Sequence, residues 1–452
     1  MLLREALRVR RGDMVAFVGA GGKTSALFCL AHELRAEGWR VLATTTTRLG
    51  LAEIQRAPST LQVTAAFSPL VIREQLNQHG FVFLYTSDDS RRHKMIGLHP
   101  DYISHLVDAA DSDVLLIEAD GARRLPFKAP KEHEPVIPAD ATLVVPIAGI
   151  NALGQPLDEE HVYHASRILE RYGYPEGAPL LPPWMASVLR DPVLGLRGVP
   201  ESARVVTLLN KVNADLGHDI RRARRVAQMV LRSDRVEAVA LGSVQTADHP
   251  IHEVQRRVAA IVLAAGESSR MGQSKPLLRW DNRTVIETIV SRLIPAYLAE
   301  TLVITGYRGD EVARVLAQQP IQIVPNPRYA QGEMLSSLQT GLRALPENIT
   351  ACLVVMGDQP MIEGRVVQSI LAAYAQGQGE IVIPTYRGER GHPVLFGRRF
   401  WSELLELSSG APREVIRRHP DQVAAVEVET DSILRDIDTP EQYRQERRRA
   451  GW

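Results

Sequence analysis

Short apolar runs alternate with segments of helical spacing along the whole chain. Residues 14–18, 114–118, 143–147 and 205–209 are runs rich in β-branched residues, and residues 41–48 form another that runs into four threonines before Arg48. Such runs predict strands buried on both faces of a parallel sheet. Residues 24–36 have the spacing of an amphipathic helix. In the second half, residues 261–264, 301–305, 321–324 and 352–356 read as strands. Helical spacing marks residues 285–298, 309–317 and 331–345. Strands alternating with helices predict an α/β protein with parallel sheets. His249-Pro250 and Arg256-Arg257 mark a boundary without a Gly/Ser-rich spacer. The expectation is two doubly wound domains, 1–255 and 256–452.

Composition narrows the classes. A chain of 452 residues, 45% apolar and 23% charged, is ordinary for soluble globular protein. Lys plus Arg equals Asp plus Glu at 53 each. Zero net charge gives no footprint for nucleic acid or a membrane surface. Charges at Arg4 and Glu5 come too early for a signal-peptide core. No apolar run approaches the ~18 residues of a membrane span. Cys29 and Cys352 sit far apart in apolar runs, as core residues of a reducing cytoplasm do. A cytoplasmic protein with neither nucleic-acid nor membrane partners is expected.

The densest candidate chemistry lies between Ile261 and Pro276. A strand ending at Ala264 feeds a loop with Ala265, Gly266, Ser268, Arg270, Gly272 and Lys275. Gly266 and Gly272 would let the backbone approach a ligand and turn sharply. Arg270 would fork around phosphate oxygens, and Lys275 would add a point charge. Asp358 follows the strand 352–356, where ligands gather in open α/β sheets. It is the best candidate for a Mg²⁺ ligand, since Mg²⁺ takes one or two carboxylates plus phosphate oxygens. Asp438 is either a second ligand or the cap of the terminal helix. Gly332, Ser336 and Ser337 fall at a predicted helix start, to meet an anion or to cap it. The Gly-His-Pro step predicts an extended, exposed His392 in contact with the acceptor.

The first half carries Gly19-Ala-Gly21-Gly22-Lys23-Thr24 between a strand and a helix, the layout of a P-loop. The loop amides would receive phosphates, Lys23 would reach the terminal ones and Thr24 would bind Mg²⁺. A tight structural turn is the alternative, because Phe17 replaces the usual first glycine. Glu118 and Asp120 end a later strand, as metal- or water-positioning carboxylates or as a plain polar strand end. Asn210-Lys211-Val212-Asn213 approaches the base-reading motif of GTPases. Asn213 replaces its acid, which weakens guanine specificity. The Pro-rich charged segment 121–138 precludes a long helix or central strand and reads as a functional loop.

Two resemblances cover nearly the whole chain. The Gly-Ala-Gly-Gly-Lys-Thr, Thr-Thr-Thr-Thr-Arg, Glu-Ala-Asp-Gly-Ala-Arg-Arg-Leu-Pro-Phe-Lys-Ala-Pro and Glu-His-Glu-Pro-Val-Ile-Pro segments resemble the YqeC family. These are maturation proteins for selenium-dependent molybdenum hydroxylases. The resemblance implies a P-loop-like domain with a purine nucleotide and a client molybdenum hydroxylase. Leu-Ala-Ala-Gly-Glu-Ser-Ser-Arg-Met-Gly, Gly-Asp-Gln-Pro, Arg-Gly-His-Pro-Val and Asp-Ile-Asp-Thr-Pro-Glu resemble molybdenum cofactor cytidylyltransferases. That implies a Rossmann-like nucleotidyltransferase domain. It would transfer CMP from CTP to a molybdopterin-type cofactor with Mg²⁺. Guanylyl relatives carry Leu-Ala-Gly-Gly, so Ala265 favours CTP. Two alternatives remain: a non-catalytic cofactor chaperone for a hydroxylase, and a sugar-nucleotide pyrophosphorylase.

Overall fold

The computed structural model describes every residue except 64–67, 90–93, 104–109, 247, 332 and 409–410. The chain divides into two compact units, Met1–Gln255 and Arg256–Trp452. Both are α/β. Among the described residues the first unit is built on a nine-stranded sheet. Its strands are β1 (Met14–Gly19), β2 (Val41–Thr45), β3 (Ser59–Gln62), β4 (Phe81–Tyr85), β5 (Val114–Glu118), β6 (Leu143–Gly149), β7 (Arg204–Asn210), β8 (Ala238–Gly242) and β9 (Ile251–Arg256). They lie in the order β9-β8-β7-β6-β1-β5-β2-β4-β3. Every pairing from β8 through to β3 is parallel.

Strands covered on both faces need apolar residues at successive positions. Accordingly β5 and β6 are buried along their whole length. Phe17, which stands where a P-loop has glycine, is a fully buried residue of β1. It leaves only Ala20–Gly22 between β1 and the next helix, Lys23–Ala36. That helix is less amphipathic than its spacing predicts, with only His32, Arg35 and Ala36 exposed. The helix Leu3–Leu7 covers its outer side, and Glu33 accepts hydrogen bonds from the Leu3 and Arg4 amides at 2.8 Å each.

The second unit has, among the described residues, an eight-stranded main sheet. It comprises β10 (Val258–Ala264), β11 (Glu300–Thr305), β12 (Gln322–Pro325), β13 (Ala351–Met356), β14 (Ile381–Tyr386), β15 (Glu389–Arg390), β16 (Val394–Gly397) and β17 (Val423–Glu427). The order is β12-β11-β10-β13-β16-β14-β15, with β17 paired to β14. β12, β11, β10 and β13 are parallel, and β16 runs against both its neighbours. From β10 the chain goes first to β11 and β12 on one side, then to β13 on the other. The loops leaving β10 and β13 therefore diverge and open a crevice at their carboxyl ends.

Candidate functional site

That crevice is a cleft of about 590 Å³. Ala264 lines it from the end of β10, Ala265, Gly266, Ser268, Arg270 and Lys275 from the loop that follows, and Asp358 from the loop after β13. Ser268 holds the first loop together. It takes φ +55°, and its carbonyl accepts from the amides of Met271 (2.9 Å) and Gly272 (3.2 Å). Its Oγ accepts from the Lys275 amide at 3.1 Å. Gly272 sits at φ +71°, in the left-handed region expected of it. Gly266 does not make the predicted sharp turn. Its φ is not positive, and a Cβ there would meet nothing within 4 Å. Protein neighbours alone do not demand glycine at 266.

The charges converge. Lys275 Nζ donates to Asp358 Oδ2 at 3.0 Å and also to Asp438 Oδ1. Arg270, whose side chain is 72% exposed, pairs with Asp438 Oδ2 at 2.8 Å. Burial works against the Lys275 ammonium, but its hydrogen bonds to Asp438 and Asp358 prevail and raise its pKa above the lysine value. Asp438 is held below the ordinary aspartate range, chiefly by the Lys275 hydrogen bond. Asp438 is not a helix cap: Thr439 caps Pro440–Arg449, its side chain accepting from the Gln442 amide. Sequence reading named Asp438 and not its neighbour Asp436 as the candidate ligand, though Asp436 is electrostatically close to the same carboxylates. Burial and then the charges of Asp438 and Asp358 raise its pKa. The Asp-Ile-Asp spacing was the available signal. Among the described residues no group of three or more His, Cys, Asp or Glu is arranged to hold a metal. Two hard carboxylates nevertheless meet at one ammonium, a donor set that suits a magnesium ion sharing nucleotide phosphates.

Ser336 and Ser337 lie in the first turns of Glu333–Ala344, and Gly332 falls outside the described residues. Both serines are buried, and only Ser337 lines the cleft. Asn326 Nδ2 donates to both hydroxyls, at 2.9 and 3.0 Å. Neither serine is the helix cap that sequence left as an alternative. Asn326 was not singled out; it sits just past β12 between two prolines. His392 is half-buried rather than exposed. Its amide donates to the Ile433 carbonyl at 3.1 Å, and a Cβ on Gly391 would sit 2.4 Å from that carbonyl oxygen. The step is thus docked on the 431–434 turn. Burial lowers the basicity of His392 while Asp358 opposes the change. Its Nδ1 is buried with no hydrogen-bond partner among the described residues.

In the first unit the loop after β1 departs from the expected phosphate cradle. The Gly19 amide donates to Asp120 Oδ2 (3.0 Å), Ala20 to the Ile147 carbonyl (2.9 Å) and Gly21 to the Leu125 carbonyl (3.1 Å). Those three amides are already committed to protein acceptors. A Cβ at Gly21 would lie 2.3 Å from the Gly149 nitrogen and 2.7 Å from the Pro126 carbonyl oxygen. Close packing on the end of β6 therefore requires this glycine. Next to Gly22, Lys23 turns back to donate to the Gly19 carbonyl at 2.6 Å, and it lies 3.3 Å from Asp120 Oδ1. Thr24 Oγ1 donates to Glu118 Oε2 at 2.7 Å.

Lys128 ties this loop to the segment 121–138. Its ammonium donates to Asp120 Oδ2 (2.9 Å), the Gly121 carbonyl (2.7 Å) and Glu134 Oε2 (2.9 Å). Burial raises the pKa of Glu118 against the pull of Lys23 and Thr24. For Glu134 burial is outweighed by the Lys128 hydrogen bond, and its pKa falls. Asn210 Nδ2 donates to the Gly21 carbonyl at 2.8 Å, bracing the loop. Asn213 is exposed, its side-chain carbonyl accepting the Asp215 amide at 3.0 Å in a turn of its own.

The description of the YqeC family matches residues 15–166, and that of the MobA-like NTP transferase domain matches residues 260–423. Escherichia coli YqeC is 33% identical over 249 residues, 53% of this chain and 90% of that protein. The molybdenum cofactor cytidylyltransferase of Escherichia coli is 30% identical over 187 residues, 41% of this chain and 93% of that protein. The chain belongs to both families, one in each half. A nucleotidyl transferase from Methanothermobacter thermautotroptrophicus superposes with a TM-score of 0.39 and 25% identity, covering 43% of this chain and 98% of that one. By its MobA-like NTP transferase match and its cytidylyltransferase relative, the second half is a nucleotidyltransferase. Among the described residues of either half, no helix is long and apolar enough to cross a membrane.

Proposed function

We propose that the MobA-like half transfers CMP from CTP to the phosphate of a molybdopterin-type cofactor, releasing pyrophosphate. The observation that carries this reading is the meeting of Arg270, Lys275, Asp358 and Asp438 at the mouth of the β10–β13 crevice. Arg270 and Lys275 would hold the β- and γ-phosphates and offset charge on the leaving pyrophosphate. Asp358 and Asp438 would hold Mg²⁺, which neutralises the reacting phosphates when bound. A phosphate acceptor is already ionised near pH 7, so positioning by Ala264, Ala265, Gly266, Ser268 and Gly272 is the main work left to the loop. Ser337, with Ser336 beside it, and His392 would contact substrate. The name of the Escherichia coli cytidylyltransferase supports the substrate class. Pyrophosphate release from CTP, with and without molybdenum-loaded cofactor, tests the reading. Release that does not depend on the cofactor would overturn it.

The YqeC half, in the same reading, binds a purine nucleotide at Gly19, Gly21, Gly22, Lys23 and Thr24 and serves maturation of a client molybdenum hydroxylase in the cytoplasm. Lys23 and Thr24 stand beside Glu118 and Asp120, so phosphates and a cation entering there would replace existing internal pairs. Calorimetry with ATP and GTP on the full chain, wild type against Lys23→Ala, tests this half. Binding that ignores the substitution would exclude the loop as its site.

A further inference from the structure

The segment 121–138 carries charges that nucleotide transfer does not use. It begins with a tight turn in which the Leu125 amide donates to the Ala122 carbonyl at 2.9 Å. Its two central residues, Arg123 (φ +47°) and Arg124 (φ +64°), are both left-handed. Glycine, asparagine and aspartate usually fill such positions, because a longer side chain is strained there. Strain of this kind persists where the surroundings fix it, and it concentrates at functional sites. Here the surroundings are the Gly-rich loop and the end of β6: Gly21 donates to the Leu125 carbonyl at 3.1 Å, and Gly149 to the Pro126 carbonyl at 2.8 Å.

Three cations from this segment surround one ring. The Arg123 guanidinium lies 5.3 Å from the Tyr163 ring centre, Lys128 Nζ 5.5 Å and Lys131 Nζ 5.8 Å. Lys128 is neutralised by Asp120 and Glu134. Among the described residues Lys131 pairs with Glu134 alone, at 4.0 Å, a carboxylate already held by Lys128. Arg123 is exposed and makes no ion pair among the described residues. The attraction of one ring for each cation is modest, whereas like charges gathered around one ring repel one another. His164 packs on the same ring at 4.0 Å between centroids, and its buried Nε2 has no hydrogen-bond partner among the described residues. Its electrostatic neighbours are Glu159, Lys131, Glu134 and Lys128.

We infer that Arg123, Lys131 and His164, gathered on Tyr163, form a binding site for a small oxyanion or the phosphate group of a small molecule. A guanidinium and an ammonium supply charge-assisted donors that a tetrahedral oxyanion accepts, and the imidazole, whose basicity burial lowers, adds a neutral ring nitrogen. Asp120 couples the site to the Gly-rich loop, since it accepts from both Gly19 and Lys128. The anion would thus be the second substrate of the loop; that role rests on the nucleotide reading above, while the site itself does not.

Inorganic phosphate titrated into the full chain by calorimetry tests the site, comparing wild type with the double variant Arg123→Ala, Lys131→Ala. Both side chains are outside the hydrophobic core, and circular dichroism checks the fold. Because the second unit is unchanged between the two, the difference isolates this cluster. The expected result is at least a ten-fold weaker phosphate affinity at one site, with most of it retained in Arg123→Lys and ATP binding unaltered in the double variant. Identical phosphate isotherms for wild type and double variant would overturn the proposal. Failure of ATP to bind the wild type would instead remove the nucleotide reading and leave any phosphate difference standing.

Discussion

Lys275 Nζ lies 3.0 Å from Asp358 Oδ2, although 83 residues separate the two in sequence. The same ammonium reaches Asp438, a further 80 residues on. One cation thus joins the loops after β10 and β13 to the turn before the terminal helix. Without substrate it balances both carboxylates; with a triphosphate and a metal, the carboxylates and the ammonium would change partners.

Lys275→Ala should lower pyrophosphate release by about 10²–10³-fold, the usual effect of losing one electrostatic donor. Circular dichroism should be unaltered, because the residue lies in a cleft and not in the core. An unchanged rate would take Lys275 out of the reaction.

CTP should outcompete GTP. Ala265 lines the cleft and is buried, and its carbonyl accepts from the Tyr307 amide at 3.2 Å. The position is therefore fixed by the protein before any base arrives. Competition at equal concentrations measures the preference, and equal use of GTP would refute it.

Gly21→Ala and Gly266→Ala should separate packing from ligand approach. At Gly21 the new Cβ meets backbone at 2.3 Å at a φ of +87°, so the first unit should lose stability on the scale of large core defects, about 3 kcal/mol or more. At Gly266 the Cβ meets nothing, and stability should stay within about 0.5 kcal/mol. Nucleotide transfer should nonetheless fall in Gly266→Ala if substrate fills that space. Urea denaturation and turnover read the two effects; full activity of Gly266→Ala would show that no ligand approaches there.

Acid should loosen the segment 121–138. The Lys128 hydrogen bond depresses the pKa of Glu134 in the folded state. Such a group contributes its stability fully above the unfolded glutamate value, about 4.3, and loses it as pH falls through the lower folded value. Amide protection factors in the segment, taken against the intrinsic exchange rate at each pH, should fall below about pH 4. Glu134→Gln should exchange faster already at neutral pH and lose that dependence. Glu118 shifts in the opposite direction, so this variant isolates the Glu134 contribution. Identical exchange profiles for the two proteins would contradict the pairing.

Sequence by itself determined the class of fold and the family of each half. Parallel strands covered on both faces must be apolar at successive residues, so β1, β2, β5, β6 and β7 were legible as runs. β3, by contrast, alternates half-buried and exposed positions at the edge of its sheet, and its polar residues give no such run. β4 and β8 are apolar throughout and could have been read. That Arg270, Lys275 and Asp358 line one cleft was also legible, because loops at the carboxyl ends of neighbouring strands meet in open α/β sheets. Tertiary structure decided the rest. Only the return of the chain to the crevice made Asp438 an ion-pair partner, with Thr439 the cap. Only tertiary packing turned the amides of Gly19 and Gly21 onto Asp120 and the Leu125 carbonyl and seated Lys128 between Asp120 and Glu134. A motif records which donors and charges a loop carries. Their partners are fixed by which distant carbonyls and carboxylates the fold brings within hydrogen-bond reach, since a buried donor must find an acceptor wherever the backbone places one.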